Sequence, residues 1–191
     1  MKNEQERVRF ALLRNQVNPH FLFNSFNTLI TTIEEDPARA VEYTEQLSDF
    51  FRNIVTYRDK DVISLAEELN LLETYLYLQK KRYGDNLRLI MPEVVPGNFL
   101  VPPLTLQLLM ENAIKHNAVS RDTPLQVELT IKEQYLEVKN NKNARMSKEK
   151  GAGMGLQNIV SRYGMLSNKP VIIEDGLESF SVSLPRLNAD T

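Results

Sequence analysis

Apolar residues recur at steps of three and four near the start of the chain: Val8, Ala11 and Leu12, then Leu22, Phe26, Leu29 and Ile33. That spacing predicts one amphipathic helix over about residues 4–33, with this set as its inner face. Glu34-Glu35-Asp36-Pro37 ends it, because Asp36 can cap and Pro37 can fill the first turn of a following helix. The second helix is predicted over roughly 38–57, with Val41, Leu47, Phe50, Phe51 and Ile54 apolar. Two amphipathic helices joined by a short turn make an antiparallel hairpin. A hairpin alone leaves apolar surface uncovered, which suits pairing with a second copy into a four-helix bundle.

The pattern then changes. After a polar link at 58–63, Ser64-Leu65-Ala66-Glu67 has capping-box spacing and opens a helix bearing Leu65, Leu69, Leu72 and Leu76, which runs out near Tyr83 and Gly84. Strands are expected at 87–91, 125–131, 135–138, 171–173 and 180–184. Helices are expected at 101–117 and 154–166, and a polar, mobile loop at 140–150. The predicted class is α+β: a helical hairpin over 1–60 followed by an α/β domain over 61–191, with the boundary near residues 58–64.

Composition narrows the classes. A 191-residue chain can bury a sizeable core, and a net charge of −2 gives no electrostatic footprint for binding nucleic acid. Without cysteine there is no disulfide framework and no thiolate chemistry. The best membrane candidate, 99–110, is too short and contains Pro102 and Pro103. No signal-peptide pattern is present, and a charged helical run at residues 1–9 reads as the middle of a helix cut from something longer.

Three segments carry candidate chemistry. On the first helix Gln16, His20, Asn24, Asn27 and Thr31 form a polar stripe with a single titratable group, and amides orient a neighbour without adding charge. Pro19 looks like a helix breaker and, within this helix, reads as a kink that removes a backbone bond beside the histidine and exposes it. Gly151-Ala152-Gly153-Met154-Gly155-Leu156 precedes a helix, where glycines let backbone approach phosphate and the helix N-terminus favours an anion. A dinucleotide fold and a Walker loop both fail on context, since no strand leads into these glycines and no Gly-Lys-Ser/Thr follows. The apolar helix 104–110 ends in Glu111-Asn112-Ala113-Ile114-Lys115-His116-Asn117. Asn112 could face a hard cation and Lys115 a phosphate, and a solvated helix end is the plainer alternative. Phe21, Phe23 and Phe26 read as bundle core and partner surface, and nothing brings His20 and His116 together as a metal site.

Taken together and in order, four motifs resemble the cytoplasmic kinase core of LytS/YehU-like sensor histidine kinases. Leu13 to Asn24, containing Asn18-Pro19-His20-Phe21, resembles the phosphoacceptor helix, and Tyr75 to Gly84 resembles the linker to the ATPase domain. Val101 to Gln107 with Glu111 to His116 resembles the N-box, and Gly151 to Ile159 with Arg162-Tyr163 resembles the second glycine box. The resemblance implies a Bergerat-type ATP-binding α/β sandwich of the GHKL superfamily from about residue 64, with ATP and Mg²⁺ as substrate and cofactor. It implies His20 as phosphoacceptor, Asn112 holding Mg²⁺ through ATP with Lys115 and His116 nearby, and Gly151, Gly153, Gly155 and Leu156 in a lid over the phosphates. A homodimer and a response-regulator receiver domain are the implied partners. The implied location is cytoplasmic, attached to a membrane only through sensor segments absent from this chain.

Two departures stand out. Phe21 follows the histidine where most kinases of the superfamily have an acid, which leaves Gln16 or Asn24, one turn either side, to orient the imidazole. The first glycine box, Asp-x-Gly-x-Gly, corresponds to Asn140-Asn141-Lys142-Asn143-Ala144, with Asn140 in the aspartate place and Lys142 and Ala144 in the glycine places. An asparagine oxygen still accepts from the adenine amino group, so recognition is weakened but kept. The expected function is an ATP-dependent autokinase that passes phosphate from His20 to an aspartate. The alternatives are a degenerate kinase or scaffold that signals by dimer conformation, and a GHKL protein that uses ATP for another purpose. The histidine motif speaks against the last.

Overall fold

The computed structural model describes residues 19–57, 59–144 and 154–187. Gln16, Gly151 and Gly153 lie outside them, as do the first predicted helix before Pro19 and most of the expected lid. The described elements are α1 (Pro19–Glu35), α2 (Pro37–Tyr57), β1 (Ile63–Ser64), α3 (Leu65–Tyr83), β2 (Leu87–Ile90), β3 (Leu100–Val101), α4 (Thr105–His116), β4 (Leu125–Ile131), β5 (Tyr135–Asn141), α5 (Met154–Leu166), β6 (Ile172–Asp175) and β7 (Ser179–Pro185). Mixed helices and sheet bear out the α+β class. The chain divides into two compact units between Asp49 and Phe50, inside α2.

In the first unit, Asp36 caps α2 as its position suggested: its Oδ1 accepts from the Arg39 amide at 3.1 Å. The inner face of the hairpin differs from the predicted one. Among the described side chains of α1, Phe21, Ser25 and Thr32 are buried, whereas Phe26 and Ile33 are 48% and 52% exposed. Ser25 and Thr32 can go inside because their hydroxyls return to carbonyls of their own helix, at Phe21 (2.9 Å) and Thr28 (2.7 Å). On α2, Ala40, Tyr43 and Leu47 are buried and Val41 is exposed. Tyr43 bonds Ser25 and Thr28, and burial raises its phenol above the usual range. Polar pairing, not apolar spacing alone, selects this seam.

In the second unit a five-stranded mixed sheet runs β2-β4-β5-β7-β6, with β2 parallel to β4 and the other neighbours antiparallel. Alternation decides the faces. Leu125, Val127 and Leu129 of β4, Leu136 and Val138 of β5, and Val182 and Leu184 of β7 are buried, while Gln126, Glu128 and Lys139 between them are exposed. Helix α4 packs against β4 and β5 and is flanked by α3 and α5, so one sheet face is covered. This two-layer arrangement fits the expected α/β sandwich.

Helix α3 starts as predicted. Ser64 and Glu67 form a reciprocal capping box, and Gly84, with φ +57°, closes the other end by donating its amide to Lys80 O. The helix expected from Val101 begins only at Thr105. Val101 instead pairs with Ile63 in a short β1–β3 clasp, and the two prolines that follow cannot donate the bonds a helix interior needs. Residues 140 and 141, expected in a mobile loop, belong to β5, where they pair with Phe180 and Ser179.

Candidate functional site

Helix α4 presents Asn112, Lys115 and His116 at spacings of three and four, on one side of the helix. Asn112 and Lys115 are half-buried and His116 is exposed. Opposite them, α5 brings Gly155 against Asn112: a methyl placed on Gly155 would lie 3.7 Å from both amide atoms of Asn112 and 4.0 Å from Leu108. These are ordinary contact distances, and they place the first turn of α5 beside the Asn112 amide. Leu156 follows in the same first turn and is half-buried. The described parts of the N-box-like and glycine-box-like segments, distant in sequence, thus come together in space through the α4–α5 packing.

Asn140 ends the buried row Leu136, Val138, Asn140 on the helix-covered face of β5. Its Nδ2 donates to Asn141 O at 2.6 Å. Because that carbonyl can only accept, the amide orientation is fixed, and Oδ1 is the acceptor end of Asn140.

The glycine-poor run beyond Asn140 is held by amides. Asn141 accepts from the Gln126 amide at 2.8 Å and donates to Pro124 O at 3.0 Å. Asn143 Nδ2 lies within bonding reach of the carbonyls of Ala118, Thr123 and Pro124, at 3.0–3.1 Å. The Asn143 amide donates to buried Asn117 Oδ1 at 2.7 Å, and Asn117 Nδ2 closes back onto Ala113 O of α4 at 2.8 Å. Lys142 is turned to the β6–β7 connection, donating to Asp175 and to Gly176 O. The end of α4, the start of β4 and the end of β5 are tied by asparagine side chains.

At the other end of α4 lies a buried acid. Glu68 of α3 is fully buried, and its two carboxylate oxygens accept from the backbone amides of Leu104 (2.9 Å) and Leu106 (2.7 Å). Burial pushes its carboxyl up to about 7, against the lowering effect of those amides, the Thr105 amide and the Arg162 guanidinium. Arg162 of α5 donates to Pro103 O at 2.9 Å. Tyr163 is buried beside it, and its hydroxyl finds no partner among the described residues.

His20 lies in the first described turn of α1, and Asn24 one turn on is half-buried. The bonding of Pro19 to the preceding turn falls outside the described residues. Among the described residues no cluster of acids and histidines is arranged to hold a metal directly, and no helix is long and apolar enough to cross a membrane.

Sequence reasoning missed Glu68, Asn117 and Asn143. Glu68 carried a signal: with Leu65, Leu69, Leu72 and Tyr75 it falls on the spacing of the buried face, where an acid needs a partner. Asn117 and Asn143 carried none, because their partners are backbone groups distant in sequence.

The histidine kinase family model matches residues 8–87. Sensor protein LytS of Staphylococcus saprophyticus is 44% identical over 106 residues, covering 54% of this chain and 18% of that protein. Sensor protein LytS of Bacillus cereus is 33% identical over 178 residues, covering 84% of this chain and 30% of that protein. Sensor histidine kinase BtsS of Escherichia coli is 32% identical over 157 residues, covering 79% of this chain and 28% of that protein. The chain spans less than half the length of these relatives.

Proposed function

We propose that this chain, which matches the histidine kinase family model and is similar to LytS sensor proteins, is the kinase core of a two-component sensor. His20 is phosphorylated from ATP and passes the phosphoryl group to an aspartate of a response-regulator receiver domain. The observation that carries the reading is the seating of Gly155 against Asn112. It joins the two motifs that a nucleotide phosphate tail would need, one supplying an amide oxygen and the other a helix N-terminus.

The residues present fit the ligands implied. Asn112 is a half-buried amide whose oxygen suits a hard divalent cation. Mg²⁺, when bound, neutralises phosphate charge. Lys115 and His116 share the Asn112 side of α4, and Lys115 places positive charge near the phosphates. Asn140 Oδ1 accepts from the adenine amino group. Gly151 and Gly153 precede α5 as the rest of the glycine box, and Leu156 packs at its start.

The transfer uses the lone pair of a neutral imidazole nitrogen of His20. That nitrogen forms a bond to the γ-phosphorus, the bond from phosphorus to the bridging oxygen breaks, and ADP leaves. An unperturbed imidazole is mostly neutral near pH 7. Gln16 or Asn24 orients the ring, fixing its tautomer without taking up a proton. The exposed apolar row Phe23, Phe26, Ile30 and Ile33 of α1, with Val41 of α2, supports a homodimer through this hairpin. In this reading the chain is the cytoplasmic portion of a membrane-attached sensor.

A second reading rests on Asn140, Lys142 and Ala144 in the first glycine box: a scaffold that keeps the fold and binds ATP poorly. Titration with MgATP separates the two. The kinase reading expects saturable Mg²⁺-dependent binding that Asn112→Ala removes. Absence of binding at millimolar MgATP favours the scaffold, and unchanged affinity in Asn112→Ala refutes the role of Asn112.

A further inference from the structure

We infer that Glu68 is a positioning residue that sets the placement of α4, the helix bearing Asn112, and does so from the segment through which the chain enters the α/β unit. The nucleotide half of this inference rests on the kinase reading above.

Helix α4 has no cap of its own. Its N-cap residue Leu104 sits at φ +65°, a left-handed conformation rare for leucine, and offers no side-chain bond to the first turn. Glu68 supplies the missing acceptors from α3, one oxygen to the Leu104 amide and the other to the Leu106 amide. A carboxylate at a helix N-terminus also complements the helix dipole. An amide that loses such an acceptor inside the protein is left unpaired, so the strained start of α4 depends on this one side chain.

Three further contacts make the node specific. Glu68 lies four residues after β1, whose Ile63 and Ser64 pair with Val101 and Leu100 just ahead of the prolines. The Leu65 amide donates to Phe99 O at 2.7 Å in the same clasp. From the far side, Arg162 of α5 bonds Pro103 O, and its charge acts on Glu68. The entry segment, the N-terminus of α4 and the helix that follows the glycines are thereby held at one point. A shift of residues 63–68 is felt at α4 through the clasp and the carboxylate together, which makes this node a route from the β1–α3 segment to Asn112.

The test uses the full chain and two readouts: amide hydrogen exchange over residues 104–112 and MgATP affinity. Glu68→Met keeps side-chain length and removes both acceptors, Glu68→Gln keeps one oxygen acceptor, and Ser64→Ala removes the side-chain cap of α3 while leaving the backbone pairs of the clasp and Glu68 in place. The expected result for Glu68→Met is exchange over 104–112 faster by about tenfold or more, with β4 and β5 still protected, and MgATP affinity lower by about tenfold. Glu68→Gln should fall between Glu68→Met and the unmodified chain. Ser64→Ala should lower the unfolding temperature without selectively loosening α4 or weakening MgATP. Unmodified exchange or affinity in Glu68→Met overturns the inference, and so does equal loosening of α4 by Ser64→Ala. If Glu68→Met does not fold, Arg162→Met, which removes the bond to Pro103, is judged by the same two readouts. Failure of the unmodified chain to bind MgATP overturns the kinase reading and the nucleotide half, while exchange separately judges the cap.

Discussion

Glu68 is a buried acid held well above the usual carboxylate range, and it makes stability depend on pH. Its carboxyl is pushed up to about 7 by burial, from an unfolded value of 4.5. Between those values the folded chain holds a proton that the unfolded chain has released. Stability therefore falls as pH rises across that window, by roughly 3 kcal/mol if the whole shift is expressed. Urea unfolding at pH 5 and pH 7.5 should show this fall, and Glu68→Met should lose most of the slope. A slope unchanged in Glu68→Met would place the titration elsewhere. At this scale the sequence disclosed residue types but few partnerships. His20, Asn112 and Asn140 were legible because their motifs are local, whereas Glu68 and Asn143 act on backbone groups of distant segments. Phe26 and Val41 were placed inside by spacing and lie outside, because Tyr43 bonds Ser25 and Thr28 in the seam, while Ser25 and Thr32 return their hydroxyls to carbonyls of α1.

Among the elements, boundaries were readable where a cap or a breaker is written into the chain. Asp36-Pro37, the Ser64–Glu67 box and Gly84 mark the starts and stops that are observed. The β4 strand was readable from strict alternation. The extension of β5 through Asn141 was not, since a run of asparagines and lysines carries the composition of a loop. What holds that run is the set of amide bonds around Asn143, which fasten it to the α4–β4 connection. Asn143→Ala should therefore cost about 2 kcal/mol in urea unfolding, since it leaves carbonyls unpaired near the end of α4. The same substitution should speed amide exchange at residues 117–124. A change within a few tenths of a kcal/mol would mean that solvent replaces these bonds without loss. Under the proposed function this fastening compensates for the missing glycines, by holding Asn140 without a flexible loop beside it.

For the whole molecule, sequence pattern and structure agree on a helical hairpin and an α/β unit, and the open matter is assembly and activity. The apolar row Phe23, Phe26, Ile30 and Ile33 is more than a monomer needs to expose on one helix. Ile30→Asp should convert a dimer to a monomer in sedimentation equilibrium while leaving the circular dichroism of the α/β unit unchanged. A monomeric parent chain would contradict the bundle. The central claim, that this chain transfers phosphate from ATP to His20, is tested most directly by incubating it with γ-labelled MgATP and following protein-bound label. The expected label is lost in acid, survives base and is absent from His20→Ala. Label of the same stability persisting in His20→Ala would contradict it.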